Sequence, residues 1–328
     1  MAQDCGGHGA DRICHIFSAL PLLRDAGTIQ ADLQRTLERA SPIILRRRCV
    51  GLSQPARDPR RYGRLHLRSA ESQKQEFCIA DSIKSRFGGS VLVSISDNIA
   101  TIQERIAAAA RRANRHADEI TMMAVTKTFP PECIREAYEA GLRLFGENRV
   151  QEFAGKAEAL RDLRDANWHM IGHLQANKAG KAAELFAAVD SVDSLRLAQK
   201  LHAAAQQLGK KLPVLIEINI AGEAAKSGMQ AASKELEELL QSAVDLKQLE
   251  FQGLMTVPPF TTNPEEARPY FRKLRLLHDD IAKRAFPAVS MEVLSTGMSH
   301  DFEVAIEEGS TCVRLGTAIF GERPRIQK

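Results

Sequence analysis

The sequence predicts a single (β/α)8 TIM barrel, preceded by one helix and by a long basic segment. From about residue 94 onwards, short apolar strands alternate with amphipathic helices, eight times within about 235 residues. No Gly-rich nucleotide-binding turn follows the first strand, which disfavours a doubly wound sheet. The chain has 328 residues, 44% of them apolar and 26% charged, which are globular values. These three observations favour the barrel.

The basic segment differs from the rest in charge and in apolar pattern. Residues 1–90 hold 15 Lys and Arg against 9 Asp and Glu, whereas the other residues hold 30 against 32. Its apolar residues come in short pieces that basic runs such as Arg46–Arg48 interrupt. We interpret residues 1–93 as a disordered basic extension or a wrongly assigned start of translation, with a tail for an acidic partner as the alternative. Residues 94–328 form the predicted barrel.

Composition also restricts the partners and the compartment. Aromatic residues are only 5% of the chain and the barrel region carries a slight negative charge, which argues against nucleic-acid binding. No apolar stretch is long enough to span a membrane. The six cysteines include no CxxC pair, so we expect reduced thiols and a cytoplasmic protein.

Each barrel element has its own signal. The leading helix, residues 95–115, carries isoleucines at helical spacing, with Ser96 or Asp97 as its N-cap. The predicted strands are Ile120–Lys127, Arg143–Gly146, Trp168–Gly172, Ala187–Val192, Pro213–Ile220, Leu249–Val257, Met291–Thr296 and Cys312–Phe320. Amphipathic helices follow the first seven, beginning at Pro130, Arg149, Asn177, Leu195, Ala231, Pro264 and Phe302.

The first strand places a lysine at the carboxyl end of the barrel, where such folds carry their functional groups. Side chains alternate along a strand, so Lys127 shares a face with Met123 and Val125. Burial would favour the neutral, nucleophilic amine, which predicts a Schiff-base lysine. The alternative is a lysine that reaches the rim or pairs with Glu217.

Two loops predict a phosphate site opposite this lysine. A hydroxyl- and glycine-rich run follows the seventh strand, and a second Gly-containing run lies at the eighth strand, the usual phosphate loops of a barrel. The candidate phosphate-binding residues are Ser295, Gly297, Met298, Ser299, Gly316 and Thr317. A lysine that reacts with an aldehyde, opposite a phosphate site, predicts pyridoxal 5′-phosphate (PLP) as the cofactor.

Three more residues are expected beside this cofactor. Arg314 would face the pyridine nitrogen, where a permanent cation keeps the nitrogen unprotonated and weakens the ring as an electron sink. Asn148 would contact the ring, and Met255 would pack against it. His169 and His173 are expected to be packed or hydrogen-bonded, and no metal site is predicted.

These residues lie in runs that resemble the pyridoxal phosphate homeostasis proteins. The runs, which cover residues 94–323 in order, are Ala124–Thr128, Phe145–Asn148, Trp168–Gln175, Lys226–Gly228, Gly253–Met255, Ser295–Ser299 and Val313–Gly321. The resemblance implies a barrel similar to the N-terminal domain of bacterial alanine racemase, with PLP on Lys127. It also implies a cytoplasmic role in PLP (vitamin B6) homeostasis and supply, with no established catalysis. Thr296 and His300 depart from the Met and Asp common in the family, and neither change removes a backbone N–H.

Two alternatives remain at this point. A PLP-dependent amino-acid racemase would use the same barrel with a tyrosine as second base, but Tyr62, Tyr138 and Tyr270 are not at strand ends, and the chain ends directly after the eighth strand. A barrel could instead bind another phosphorylated metabolite without a Schiff base. For the PLP-binding protein, the expected partners are PLP and PLP-dependent apo-enzymes, and the expected state is a monomer.

Overall fold

The computed structural model describes residues 94–223 and 226–322 of the chain. Its strands are β1 (Thr121–Val125), β2 (Leu144–Glu147), β3 (Asn167–Met170), β4 (Ala188–Val192), β5 (Leu212–Asn219), β6 (Met229–Gln230), β7 (Leu249–Met255), β8 (Val289–Met298) and β9 (Cys312–Leu315). Its α-helices are α1 (Ile95–Arg112), α2 (Pro131–Glu139), α3 (Val150–Ala157), α4 (Ala179–Leu185), α5 (Leu195–Gln207), α6 (Lys234–Ser242), α7 (Arg268–Arg284), α8 (Phe302–Glu307) and α9 (Thr317–Phe320). The predicted basic extension, residues 1–93, lies outside the described residues.

Eight parallel strands close into a barrel. They pair in the order β4-β3-β2-β1-β9-β8-β7-β5, and pairing of β4 with β5 closes the ring. The short strand β6, which the sequence did not predict, adds to β5 in parallel. The predicted (β/α)8 barrel is confirmed.

Side chains alternate between the inside of the barrel and the helical layer. Met123, Val125, Ile171 and Cys312 form a cluster with residues from neighbouring strands and none from a helix, which places it inside. The residues between them pack outward, and Leu315, for example, belongs to a cluster with isoleucines of α1. Alternation along β1 therefore agrees with the predicted inward face.

Helix α1 fills a place in the outer helical layer beside β1 and β9. Ile95, Ile99, Ile102 and Ile106 are buried in one cluster with residues of α8 and α9. The Asn98 side-chain amide donates to the backbone carbonyl of Ile319 at 2.9 Å. Because α9 is a single short turn, α1 supplies the apolar surface that covers this side of the barrel.

Aromatic rings hold α3 against the barrel. The Phe145 ring stacks on Trp168 with centroids 4.9 Å apart. Phe153, on α3, lies 4.7 Å from Trp168 and 4.9 Å from Phe186. These ring contacts bury apolar surface, which stabilises the packing of α3 although the helix has only eight residues.

The ends of the last two predicted strands are wrong, and both lie near the candidate site. The seventh predicted strand continues as β8 to Met298, because Ser295 to Met298 still pair with β9 around a bulge. The last predicted strand ends at Leu315 rather than Phe320, since α9 begins at Thr317. Ser295, Gly297 and Met298 thus lie on a strand, and not in a turn.

Two predictions from composition concern thiols and membranes. Within the described ranges, Cys133 and Cys312 are both free. Burial raises the pKa of the Cys312 thiol to about 12, so it stays protonated at neutral pH. None of the helices in residues 94–223 and 226–322 is long and apolar enough to cross a membrane.

Candidate functional site

Lys127 lies directly beyond β1, at the carboxyl end of the barrel. The strand ends at Val125, two residues earlier than predicted, and Lys127 is half-buried in the turn that follows. The backbone N–H of Thr126 still donates to the carbonyl of Gly146 at 3.0 Å, which extends the pairing of β1 with β2 by one residue. The lysine therefore follows Met123 and Val125 at the two-residue spacing of the inward face.

Arg314 is a buried guanidinium on the inward face of β9. It is 4% exposed and donates through Nη1 to Ser295 Oγ and through Nη2 to the carbonyl of Thr256, each at 2.7 Å. Burial lowers the pKa of this guanidinium, while nearby carboxylates such as Glu217 oppose the shift. The two hydrogen bonds fix the plane of the guanidinium across β7, β8 and β9.

Strand register brings Met255 to the same level as Ser295. Met255 is fully buried and pairs with Ser295 on β8 and with Glu217 on β5. Ser227 donates to Glu217 Oε1 at 2.7 Å. Burial raises the pKa of Glu217, and the Ser227 hydrogen bond opposes that shift. The structure thus brings together Met255, Ser295 and Arg314, which the sequence predicted for one site.

The ends of β8 and β9 converge on the Ser299 hydroxyl. Its oxygen accepts from the backbone N–H groups of Gly316 and Ala318, each at 3.2 Å. Thr317 lies between these two residues and is exposed. Converging backbone N–H groups are the usual means of holding a phosphate group.

Gly297 is required by its surroundings on β8. Its φ is +90°, and a Cβ there would lie 2.5 Å from the Cβ of Ala305. The next residue, Met298, donates its backbone N–H to Asp301 Oδ1 at 2.7 Å. This bend turns the chain at Ser299 toward the end of β9.

Unpartnered buried polar atoms concentrate at this end of the barrel. Six such side-chain atoms occur in the described part of the chain, and five lie within two residues of the carboxyl ends of β2, β5 and β8. These five belong to Glu147, Asn148, Glu217, Asn219 and Thr296. A buried polar atom without a partner costs free energy, so this end of the barrel is where most of the unsatisfied buried polar groups of the described residues lie.

Sequence reasoning missed a buried ion pair beside Lys127. The Lys156 ammonium on α3 lies 2.6 Å from the carboxylate of Glu147, and their side chains are 11% and 0% exposed. Burial raises the pKa of Glu147, and the Lys156 ammonium opposes that shift. The only signal in the sequence was Lys156 four residues after Glu152 on one helix face, which is common on solvated helices.

His169 and His173 are hydrogen-bonded, as expected. His169 Nδ1 lies 3.0 Å from Asp190 Oδ1, and His173 Nδ1 lies 2.9 Å from Asp193 Oδ2. His169 lines a separate cavity of about 500 Å³ at the amino end of the barrel, away from Lys127. Among the described residues, no group of three or more His, Cys, Asp or Glu side chains is placed to hold a metal.

Known proteins resemble the chain over the barrel. Residues 98–324 match the family described as alanine racemase, N-terminal domain. A pyridoxal phosphate homeostasis protein of Aquifex aeolicus is 45% identical over 227 residues, which are 69% of this chain and 97% of the relative. One of Escherichia coli strain K12 is 41% identical over 236 residues, 71% of this chain and 99% of the relative.

Solved structures agree with these relatives. PipY of Synechococcus elongatus with PLP bound has a TM-score of 0.59 and 37% identity, covering 67% of this chain and all (100%) of that one. Alanine racemase of Streptomyces coelicolor A3(2) is 20% identical, with a TM-score of 0.54. The match covers 69% of this chain and 59% of the racemase chain, and at this identity it shows a shared fold alone. Because relatives above 40% identity are matched over nearly their whole length, the chain belongs to the pyridoxal phosphate homeostasis protein family.

Proposed function

We propose that this protein binds PLP through a Schiff base on Lys127 and acts in intracellular PLP homeostasis and supply. The observation that carries the proposal is the half-buried Lys127 at the carboxyl end of a barrel whose β8 and β9 ends direct backbone N–H groups to one point. The PLP bound to PipY, a structure 37% identical to this chain, supports the same cofactor.

The residues at this end of the barrel fit PLP by their chemistry. Lys127 provides the amine, and the phosphate would be held by Ser295, Gly297, Met298, Ser299, Gly316 and Thr317. Asn148, with a buried unpartnered Oδ1, provides a polar contact for the ring, and Met255 an apolar one. Arg314 would face the pyridine nitrogen, and its guanidinium also holds Ser295 in place by a hydrogen bond.

The chemistry of the site favours holding the cofactor. Bound PLP supplies an electron sink, and a guanidinium at its pyridine nitrogen weakens that sink because it offers no acceptor for a proton. Tyr138 lies on α2 and Tyr270 on α7, away from the strand ends. These two features support PLP carriage over racemisation. We further propose that the protein acts in the cytoplasm as a monomer and that PLP-dependent apo-enzymes receive its PLP.

The first prediction concerns the attachment site. Purified protein incubated with PLP should show Schiff-base absorbance, and borohydride reduction followed by peptide mass analysis should place the adduct on Lys127. Lys127→Ala should lose both signals, because it removes the amine that the proposal assigns to the Schiff base. The control is Lys181→Ala, an exposed lysine of α4 paired with Glu184.

Three outcomes would contradict the proposal. An adduct on another lysine would overturn the role of Lys127. Sustained racemisation of alanine by the wild-type protein would favour the amino-acid racemase instead, and binding without Schiff-base absorbance would favour a site for another phosphorylated metabolite.

A further inference from the structure

The buried pair of Lys156 and Glu147 lies directly beside the turn that carries Lys127. Buried ion pairs are weak evidence of stability, because the attraction between two charges does not reliably offset their removal from water. This pair contacts more than its own members. Its further hydrogen bonds reach Thr126, before Lys127, and Glu152, which in turn holds the backbone of Thr128 after it.

On the amino side, both members of the pair hold Thr126. The Thr126 hydroxyl donates to Glu147 Oε1 at 2.6 Å, and Lys156 Nζ donates to the Thr126 carbonyl at 3.1 Å. Thr126 is fully buried, so water does not compete for these bonds. The residue before Lys127 is therefore fixed by its side chain and by its backbone.

On the carboxyl side, Glu152 of α3 holds Thr128. The Thr128 backbone N–H donates to Glu152 Oε1 at 2.5 Å, and Lys156 Nζ lies 3.3 Å from the same oxygen. Thr128 has a φ of 67°, in the left-handed region that costs a β-branched residue free energy. Such strain persists only where surrounding contacts hold it, and the hydrogen bond to Glu152 is one of these.

We propose that Glu147, Glu152 and Lys156, called here the Lys156 cluster, are positioning residues that fix the turn of Lys127 and so direct its amine at the cofactor aldehyde. This inference rests on the proposed function of Lys127. The two carboxylates each hold one chain neighbour of Lys127, and Lys156 joins the carboxylates. Displacement of a reacting group by about 1 Å can slow a reaction roughly a hundredfold, so the cluster acts on the rate of cofactor capture.

The test compares two kinds of variant of the Lys156 cluster. One kind leaves a buried charge without its partner, and the other removes both charges of the pair. Lys156→Met leaves the Glu147 carboxylate unpaired and can unfold the protein. The double variant Glu147→Gln with Lys156→Met removes both charges at similar volume, and we expect it to fold, as checked by circular dichroism and the melting temperature. It should nevertheless capture PLP at least about tenfold more slowly. Lys156→Arg, which keeps the cation, should recover most of the rate.

Three readouts separate positioning from general damage. Capture of PLP and of pyridoxal is followed by absorbance, and labelling of Lys127 by acetic anhydride, without cofactor, by peptide mass analysis. The double variant should slow capture of both aldehydes by the same factor and change the labelling rate of Lys127. Ser299→Ala should slow capture of PLP alone, because pyridoxal lacks the phosphate.

The matched control is Lys181→Met, which breaks an exposed Lys–Glu pair of 2.8 Å on α4 and should keep wild-type rates. Wild-type capture and labelling by the folded double variant would overturn the positioning role and leave the proposed function intact. Failure of the wild-type protein to capture either aldehyde would overturn the proposed function. The labelling rate of Lys127 in the double variant would then test the positioning role by itself.

Discussion

His169 and Asp190 form a pair across strands β3 and β4 at the amino end of the barrel interior. Both oxygens of the Asp190 carboxylate lie within 3.1 Å of His169 Nδ1, and the Asp190 side chain is 2% exposed. Burial acts to lower the pKa of His169, but the Asp190 carboxylate acts against it, and the pKa is raised above its usual 6.5. The folded protein thus binds a proton here more tightly than the unfolded chain.

This pair predicts a dependence of stability on pH. Because the folded pKa of His169 is raised, its contribution to the free energy of unfolding is fully present below pH 6.5 and is lost as the pH rises through the folded pKa. Urea unfolding of the wild type from pH 5.5 to pH 9 should show this loss, and His169→Gln should not. His173→Gln, whose histidine side chain is 58% exposed, is the control. Equal pH profiles for wild type and His169→Gln would contradict the assignment.

Single residues on a strand were more predictable than pairs between elements. The inward face of Met123 and Val125 follows from alternation alone, and it leads directly to Lys127. The pairing of Glu147 with Lys156 depends on how α3 folds back over β2, which no local pattern specifies. Likewise, Arg314 could be placed inside, but its hydrogen bond to Ser295 depends on the register between β8 and β9, which no local pattern specifies.

At the scale of the element, helix α1 shows how a local signal sets a boundary. Ser94 is its N-cap, accepting from the Asp97 backbone N–H at 3.1 Å, while the Asp97 carboxylate accepts from the Ser94 backbone N–H at 3.4 Å. The expected caps, Ser96 and Asp97, were wrong by two or three residues. Asp97 belongs to the capping box, but at its third helical position.

The cap predicts a modest loss of stability. Ser94→Ala removes the acceptor for the Asp97 N–H and should lower the free energy of unfolding by about 1 kcal/mol. Ser94→Asp, which keeps an acceptor, should retain most of the wild-type free energy of unfolding. Chemical denaturation of the three proteins measures the difference. Equal stability of Ser94→Ala and wild type would show that the start of α1 does not contribute to folding.

Strand ends were the least predictable elements, for a physical reason. An apolar run does not distinguish a strand from the short helix that continues it, so Cys312–Phe320 was predicted as one strand although α9 begins at Thr317. A bulge has the opposite effect, because it lets a strand continue further than its apolar run. The irregular pairing with β9 extends β8 past Gly297 to Met298. The count and order of strands, in contrast, follow from repeated alternation with helices.

At the scale of the whole molecule, the barrel closes within the described residues. The β4–β5 pairing completes a ring whose strands all lie between Thr121 and Leu315, and α1 covers the side where the ring begins and ends. The Aquifex aeolicus relative is matched over 97% of its length by 227 residues of this chain. A barrel with its leading helix is therefore nearly the whole of that relative.

Removal of residues 1–90 should accordingly leave the melting temperature and PLP retention nearly unchanged. The control removes residues 1–106, which also deletes buried isoleucines of α1, and it should lower the melting temperature or abolish folding. Thermal unfolding and gel filtration with absorbance detection measure both effects. Loss of soluble protein or of cofactor in the shorter deletion would assign a structural role to the basic segment.

The stacking of Trp168 between Phe145 and Phe153 has a consequence for experiment. It is the only tryptophan of the chain, so the intrinsic fluorescence excited at the red edge of protein absorption comes from one known position. The rings around it belong to β2 and α3, and α3 also carries Glu152 and Lys156. Emission wavelength and lifetime therefore report, without any label, on whether the helix behind Lys127 stays in place.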